Sequence, residues 1–207
     1  KARARGVKVL LETCPQYLAL DDERYLEPGF AGAKYVCSPP LRKKSDVLAL
    51  IDAVQEGEID TIATDHCSYT LEQKALGFED FSKIPNGLPG VEHRPALVYS
   101  ELVAKKLIDP SDMCRMLSEN PAKLYGLFPR KGVIRPGADA DLVLWDRDAQ
   151  WMLRASEQLM KADYSPFEDF EITGRPCQVL LRGETGCKDG EVTGPSGTYL
   201  VRHKPRL

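Results

Sequence analysis

Apolar positions in the first sixty or so residues come in short runs separated by polar, helix-forming stretches. Val7-Lys8-Val9-Leu10-Leu11 reads as a buried strand, and Tyr35-Val36-Cys37 predicts a second, stopped by Pro39-Pro40. Ser45 suits the N-cap of a helix that places Val47, Leu48, Leu50, Ile51 and Val54 on one face, with Gly57 just past its end. Thr61-Ile62-Ala63-Thr64 is the third predicted strand, and Asp65-His66 stands at its carboxyl end. Strands alternating with helices in this way predict β/α units feeding a parallel sheet.

Residues 68–93 show no clear period and contain Pro85-Asn86-Gly87 and Pro89-Gly90, so a long loop is expected. Loops of that length inside a compact domain are usually lids or binding segments. Helical patterns resume over 95–106 and 109–119. A short helix then takes Asn120 as its cap, Pro121 at its first position and Gly126 beyond its end. From Gly132 the pattern changes: GVIRPGADADLVLWD predicts two short strands around a Pro136-Gly137 turn, and QVLLRGETGCKDGEVTG a further strand followed by glycine-marked turns. Residues 147–175 read as irregular. The pattern therefore predicts an α/β region with an all-β region appended to it.

Composition narrows the functional class. The 207 residues fit one large domain or two small ones. Lys and Arg total 28 against 31 Asp and Glu, a net charge of −3 with no basic stretch, which argues against a nucleic-acid partner. No apolar run reaches the roughly 18 residues of a membrane span, so no membrane association is expected. Six cysteines without CxxC spacing suggest reduced thiols and a cytoplasmic protein. The opening KARARGVKVLLETC runs straight into a strand-like segment, so the chain is expected to begin in mid-fold.

In parallel β/α folds, reactive groups gather at the carboxyl ends of the strands. Three segments meet that description: Glu12-Thr13-Cys14, Ser38-Pro39-Pro40 and Asp65-His66. Asp65 is the strongest candidate, because a strand-end carboxylate can bind a metal ion and move a proton between water and a leaving group. The competing reading is a cap on the next segment. His66 should face away from Asp65, as neighbours on a strand do, and reads as structural. His93 and His203 have no partner pattern. Three histidines with no HxH or HExxH pair cannot by themselves build a catalytic metal centre. Nucleophile-elbow, phosphate-loop and dinucleotide fingerprints are missing. Asn86 is explained by turn chemistry, although a turn held there could also offer backbone groups to a planar amide such as a cyclic imide. Cys14 and Cys67 read as small buried packing residues, and Trp145 as core of the β region.

The blocks ETCPQYL (12–18), GAKYVCSPPLR (32–42), TIATDHC (61–67), DFSKIPNGLPGVE (80–92), NPAKLYGLFPRKG (120–132) and GADADLVLWD (137–146) run through essentially the whole chain. In order and spacing they resemble the dihydropyrimidinases and D-hydantoinases, cyclic-amide hydrolases of the amidohydrolase superfamily. The resemblance implies the C-terminal part of a (β/α)8 TIM-type barrel over 1–131, with a substrate loop at 68–93. Part of a small β-sandwich domain and a tail would follow over 132–207.

The family holds two zinc ions through an HxH pair, a carboxylated lysine, two further histidines and an aspartate. Asp65 in TIATDHC matches the aspartate, while the other ligands belong to segments expected before Lys1. Ser38 and Asn86 match positions whose backbone groups hold the amide of the substrate ring. Ser68 stands where relatives usually carry proline. The implied reaction has a zinc-bridging hydroxide attack the ring carbonyl of a dihydropyrimidine or hydantoin. Asp65 takes the proton and delivers it to the departing nitrogen, giving an N-carbamoyl amino acid. By itself the chain would be an inactive fragment. Relatives are commonly tetramers, so a homo-oligomer is implied for the full-length protein, with 194–207 as an interface arm. The rivals are a non-catalytic dihydropyrimidinase-related assembly protein, which has no need of Asp65 or the IPNGLPG loop, and an allantoinase or dihydroorotase, which ETCPQYL and CSPPLR fit less well.

Overall fold

The computed structural model describes residues 1–194 and 197–205, so positions 195, 196, 206 and 207 of the expected interface arm lie outside the described residues. Strand β1 (Glu12–Thr13) pairs in parallel with β2 (Thr61–Ile62), Glu12 opposite Thr61 and Thr13 opposite Ile62. Helices α1 (Pro15–Ala19) and α2 (Lys44–Gln55) lie between them in sequence, as a parallel connection requires. Val7–Leu11, expected to be a buried strand, is neither: Val7 is 50% and Leu11 38% exposed. The hydrogen bonds from Asp60 and Thr61 N–H to the Leu11 carbonyl mark where pairing with the β2 side begins. Tyr35-Val36-Cys37 is not a strand either, because Tyr35 closes a 3-10 helix (Ala31–Tyr35) and the Val36 carbonyl faces a loop instead of a ladder.

Helix α2 starts two residues earlier than its sequence suggests. Lys43 occupies the N-cap without a side-chain bond, and Ser45 lies within the first turn. Its buried face is narrow, Val47 and Val54, while Leu48 is exposed. Gly57 takes a left-handed φ of 73° just past the end, a conformation glycine reaches without steric cost.

The expected loop 68–93 carries short helices, namely α3 (Leu71–Lys74) and 3-10 turns at Ala75–Gly77 and Phe81–Lys83. Helix α4 (Arg94–Val98) continues as π-turns over Tyr99–Val103. Leu97 joins a core with Leu20, Tyr35, Leu88, Phe167 and Ile172, whereas Val98 and Leu102 join another with Leu18, Val54, Ile62 and Met116. The helix is thus a wedge between the two cores.

Asn120 is not a cap. Helix α5 (Pro110–Cys114) runs through π-turns at Arg115–Glu119 into α6 (Asn120–Leu124), and Asn120 has helical dihedrals. Pro121 inside a regular α-helix would clash with the carbonyl four residues back. The wider turns ahead of it, with Asn120 N–H bonded to the Arg115 carbonyl, relieve that clash. Asn120 is buried and its Nδ2 donates to the Asp60 carbonyl at 2.8 Å, which ties the helix to the start of β2.

The β region is one antiparallel sheet of four strands among the described residues, ordered β3 (Leu142–Met152), β4 (Glu171–Leu181), β5 (Glu184–Lys188) and β6 (Glu191–Val192). GVIRPGADADLVLWD contains one of these strands and not two. Its first half is a loop fastened by Asp139, whose carboxylate pairs with Arg130 at 3.0 Å and Lys131 at 2.8 Å. Strands β3 and β4 also extend into the 147–175 stretch expected to be irregular, pairing Gln150 with Thr173 and Trp151 with Ile172. Register shifts after Leu144 and Asp146 break the inside-outside alternation that would have shown them. The sheet meets α4 and its π-turn extension through Ile172 and through Trp145, whose ring lies tilted against Tyr99 with centroids 5.0 Å apart, so Trp145 packs against the core as expected.

Candidate functional site

The carboxyl end of β2 leads directly into the site. The chain turns at Asp65, whose φ of 49° lies in the left-handed region that Asp tolerates better than most residues. Beyond it, His66 pairs with Leu88 as an isolated parallel bridge, and Cys67 N–H donates to the Leu88 carbonyl at 3.1 Å. His66 Nδ1 accepts the backbone N–H of Gly90 at 3.1 Å and of Val91 at 3.4 Å. The imidazole is therefore a structural clamp, as its alternation with Asp65 predicts.

The 85–91 loop is held from its other side as well. Gly87 N–H donates to the Val36 carbonyl at 3.0 Å. Gly87 has a φ of 149°, and a Cβ there would come within 2.5 Å of the Cys67 carbonyl oxygen, so only glycine lets the loop approach this closely. Two further bonds complete the convergence. Gln16 Nε2 donates to the Thr64 carbonyl at 3.4 Å, and Tyr17 OH donates to the Pro39 carbonyl at 2.9 Å. The 85–91 loop is thus bonded to the segments that carry Ser38 and Asp65, and α1, which follows Glu12-Thr13-Cys14, is bonded to both of those segments in turn.

Asp65, Ser38 and Asn86 are all exposed there. Among the described residues, no hydrogen bond or ion pair engages the Asp65 carboxylate, and none uses the backbone N–H or C=O of Ser38 or Asn86. The capping alternative for Asp65 is not realised. Its charge is felt by its neighbours: burial first, then Asp65 and Glu12, push the Cys14 thiol up to about 12, and Asp65 acts in the same direction on Tyr17 and Cys37. Arg94 lies beneath, donating from Nη1 to the Ile62 carbonyl at 3.2 Å, with its buried Nε unpartnered among the described residues.

Lys74 escapes any reading of periodicity. It ends α3 and is 1% exposed, and its Nζ donates to the carbonyls of Val36 at 2.9 Å, Pro85 at 2.6 Å and Gly87 at 2.9 Å. Burial lowers its pKa to about 8, and the three carbonyls account for all three donors of the ammonium. One local signal was available: Thr70 and Gln73 form a reciprocal capping box, which marks a helix start inside the apparent loop. Cys14 and Cys37 are buried, whereas Cys67, expected to be buried, is exposed beside Tyr69 because its segment lies on the open side of the 85–91 loop.

The residues present do not compose a metal centre. Among the described residues no group of three or more His, Cys, Asp or Glu is placed to hold an ion. His66 Nδ1 is occupied, and buried His93 points its Nε2 at Gln158 Oε1, 3.4 Å away. Asp65 offers one carboxylate, where a catalytic zinc takes about three protein ligands.

The amidohydrolase family model matches residues 2–185, and the chain belongs to that family, whose members are generally metal-dependent. It is 45% identical over 207 residues to the D-hydantoinase of Geobacillus stearothermophilus, covering 99% of this chain and 44% of that protein. A crystal structure of a D-hydantoinase superposes with a TM-score of 0.91 at 44% identity, covering 93% of this chain and 42% of its own. The dihydropyrimidinase from Brevibacillus agri NCHU1002 gives 0.91 at 42% identity, over 93% of this chain and 42% of that one. The chain spans less than half the length of the relatives it matches.

Proposed function

We propose that the chain forms the C-terminal part of a hydrolase that opens the cyclic amide of a dihydropyrimidine or hydantoin to an N-carbamoyl amino acid. In this reading 1–131 supply C-terminal β/α units of a (β/α)8 barrel, and 132–207 supply part of a β-sandwich with its tail. The observation that carries it is the exposed, unpaired Asp65 carboxylate at a strand end, where two loops present the unused backbone groups of Ser38 and Asn86. A ring amide is a planar donor beside an acceptor, and peptide groups at Ser38 and Asn86 complement it. Asp65 takes the proton of the attacking water and hands it to the ring nitrogen, which would otherwise leave as a poor, strongly basic anion.

Asp65 is also the residue here suited to ligate zinc, by the likeness to the two-zinc enzymes. One carboxylate does not hold the ion by itself, so in this reading the remaining ligands come from other segments of the full-length protein. Six free cysteines suit a reducing cytoplasm. Among the described residues no helix is long and apolar enough to cross a membrane. Exposed Leu26, Leu76, Phe78 and Phe81 favour burial in a homo-oligomer, taken as a tetramer.

The test is hydrolysis of dihydrouracil and hydantoin. Asp65→Ala in the full-length protein is expected to remove turnover by about a thousandfold or more, in line with general acid–base catalysis. Near-normal turnover would sink the proton-transfer role, and a folded, inactive wild-type protein would favour the assembly-protein reading. The 207-residue chain with added zinc is expected to be inactive. Turnover by that chain, abolished by Asp65→Ala, would overturn its dependence on other residues.

A further inference from the structure

A buried lysine costs free energy unless its charge is matched, and lysine is almost never fully buried without a partner. Lys74 is matched in an unusual way, with every hydrogen bond going to a backbone carbonyl, Val36, Pro85 and Gly87, the Tyr69 ring 5.5 Å from its Nζ, and no carboxylate hydrogen-bonded to it or ion-paired with it among the described residues. Val36 lies two residues before Ser38, and Pro85 and Gly87 flank Asn86 on both sides. One ammonium therefore fixes the two segments that present the candidate amide-binding groups. Turning the carbonyls of Pro85 and Gly87 inward, to the same nitrogen, restricts the orientation of the Asn86 peptide between them. The Gly87 N–H to Val36 carbonyl bond at 3.0 Å closes the same ring of contacts, so the Val36 oxygen accepts from both Lys74 and Gly87.

We propose that Lys74 is a positioning residue whose ammonium sets the separation and tilt of the Ser38 and Asn86 peptide groups, and with them the fit of the slot to the substrate ring. This rests on the cyclic-amide reading of the site. Lys74 touches no reacting atom in this account. Its loss removes binding that the ground and transition states share, which raises KM more than it lowers kcat.

The experiment uses the full-length protein as wild type, Lys74→Met and Lys74→Arg, with steady-state kinetics on dihydrouracil and hydantoin at matched metal content. Lys74→Arg keeps the charge but spreads its donors over a plane, so it should move the carbonyls without stranding them. It is expected to fold, to raise KM at least tenfold with kcat changed less than about threefold, and to alter the preference between the six- and five-membered rings. Lys74→Met should show a larger KM effect. A merely structural role predicts lower thermal stability with unchanged KM and ring preference, and that result overturns the proposal. Failure of both variants to fold overturns it too, since Lys74 would then serve folding alone. If the wild-type protein hydrolyses neither ring, the cyclic-amide reading itself has failed; if it does and the variants match it, only the role of Lys74 has.

Discussion

The imidazole Nδ1 of His66 accepts the backbone N–H of Gly90 at 3.1 Å, which joins the residue after Asp65 to the loop that carries Asn86. With the longer bond from Val91, two loop amides depend on one side chain. His66→Ala is expected to release both. A hydrogen bond of this kind contributes about 0.5–1.5 kcal/mol, so exchange of the Gly90 and Val91 amides should speed up by roughly twofold to thirteenfold. Hydrogen exchange resolved to these residues checks it, with the amides of Leu97 and Leu102 as unchanged controls. Equal exchange in variant and wild type would show that the loop is held without His66.

Thiol reactivity should follow burial. Cys67 and Cys114 are exposed, whereas Cys14 and Cys37 are enclosed, and burial together with the Asp65 and Glu12 charges holds the Cys14 thiol near 12. At pH 7.5, brief iodoacetamide treatment of the folded chain followed by mass spectrometry is expected to label Cys67 and Cys114 and to spare Cys14 and Cys37. Labelling of Cys14 at the rate of Cys67 would contradict the packing of α1 against the sheet.

His93 couples stability to pH. It is 5% exposed, and burial lowers its pKa against the smaller raising effects of Gln158 and Glu92. The unfolded chain therefore binds a proton more readily than the folded one as pH falls through about 6.5, the ordinary histidine value. Stability from neutral His93 is complete above that value and is lost as pH drops toward the folded-state pKa. The maximal slope is about 1.4 kcal/mol per pH unit. Urea midpoints measured from pH 7.5 to 5.5 should fall, and fall less in His93→Gln. Identical pH profiles would remove His93 as the cause.

Glu27 and Asp139 do not account for that window. Against the raising effect of burial, the hydrogen bond from Tyr35 and then Lys34 hold the Glu27 carboxyl below its ordinary value, and the hydrogen bond from Lys131 does the same for Asp139. They favour the folded state above the ordinary carboxylate value and lose that effect only at lower pH.

Much of the chain's order is local and was legible as such. The β/α alternation, Asp65 at the end of the Thr61–Thr64 run and the left-handed glycines at Gly57 and Gly126 follow from period and turn chemistry over a few residues, as does a switch to strands, expected from Gly132 and begun at Leu142. Ser38 and Asn86 drew attention through strand-end position, turn chemistry and family motifs. What the tertiary structure decided depends on partners distant in sequence. Val7–Leu11 has the composition of a buried strand, but burial is conferred by neighbours, and the described residues do not cover it. Asn120 reads as a cap until the preceding π-turns carry the helix through it and its amide finds Asp60. Lys74 looks like one more solvated charge because the carbonyls that bury it lie 38, 11 and 13 residues away along the chain. The sequence determined which groups arrive at the site, and only the fold decided which of them are bound up in holding it together and which are left free to meet a ligand.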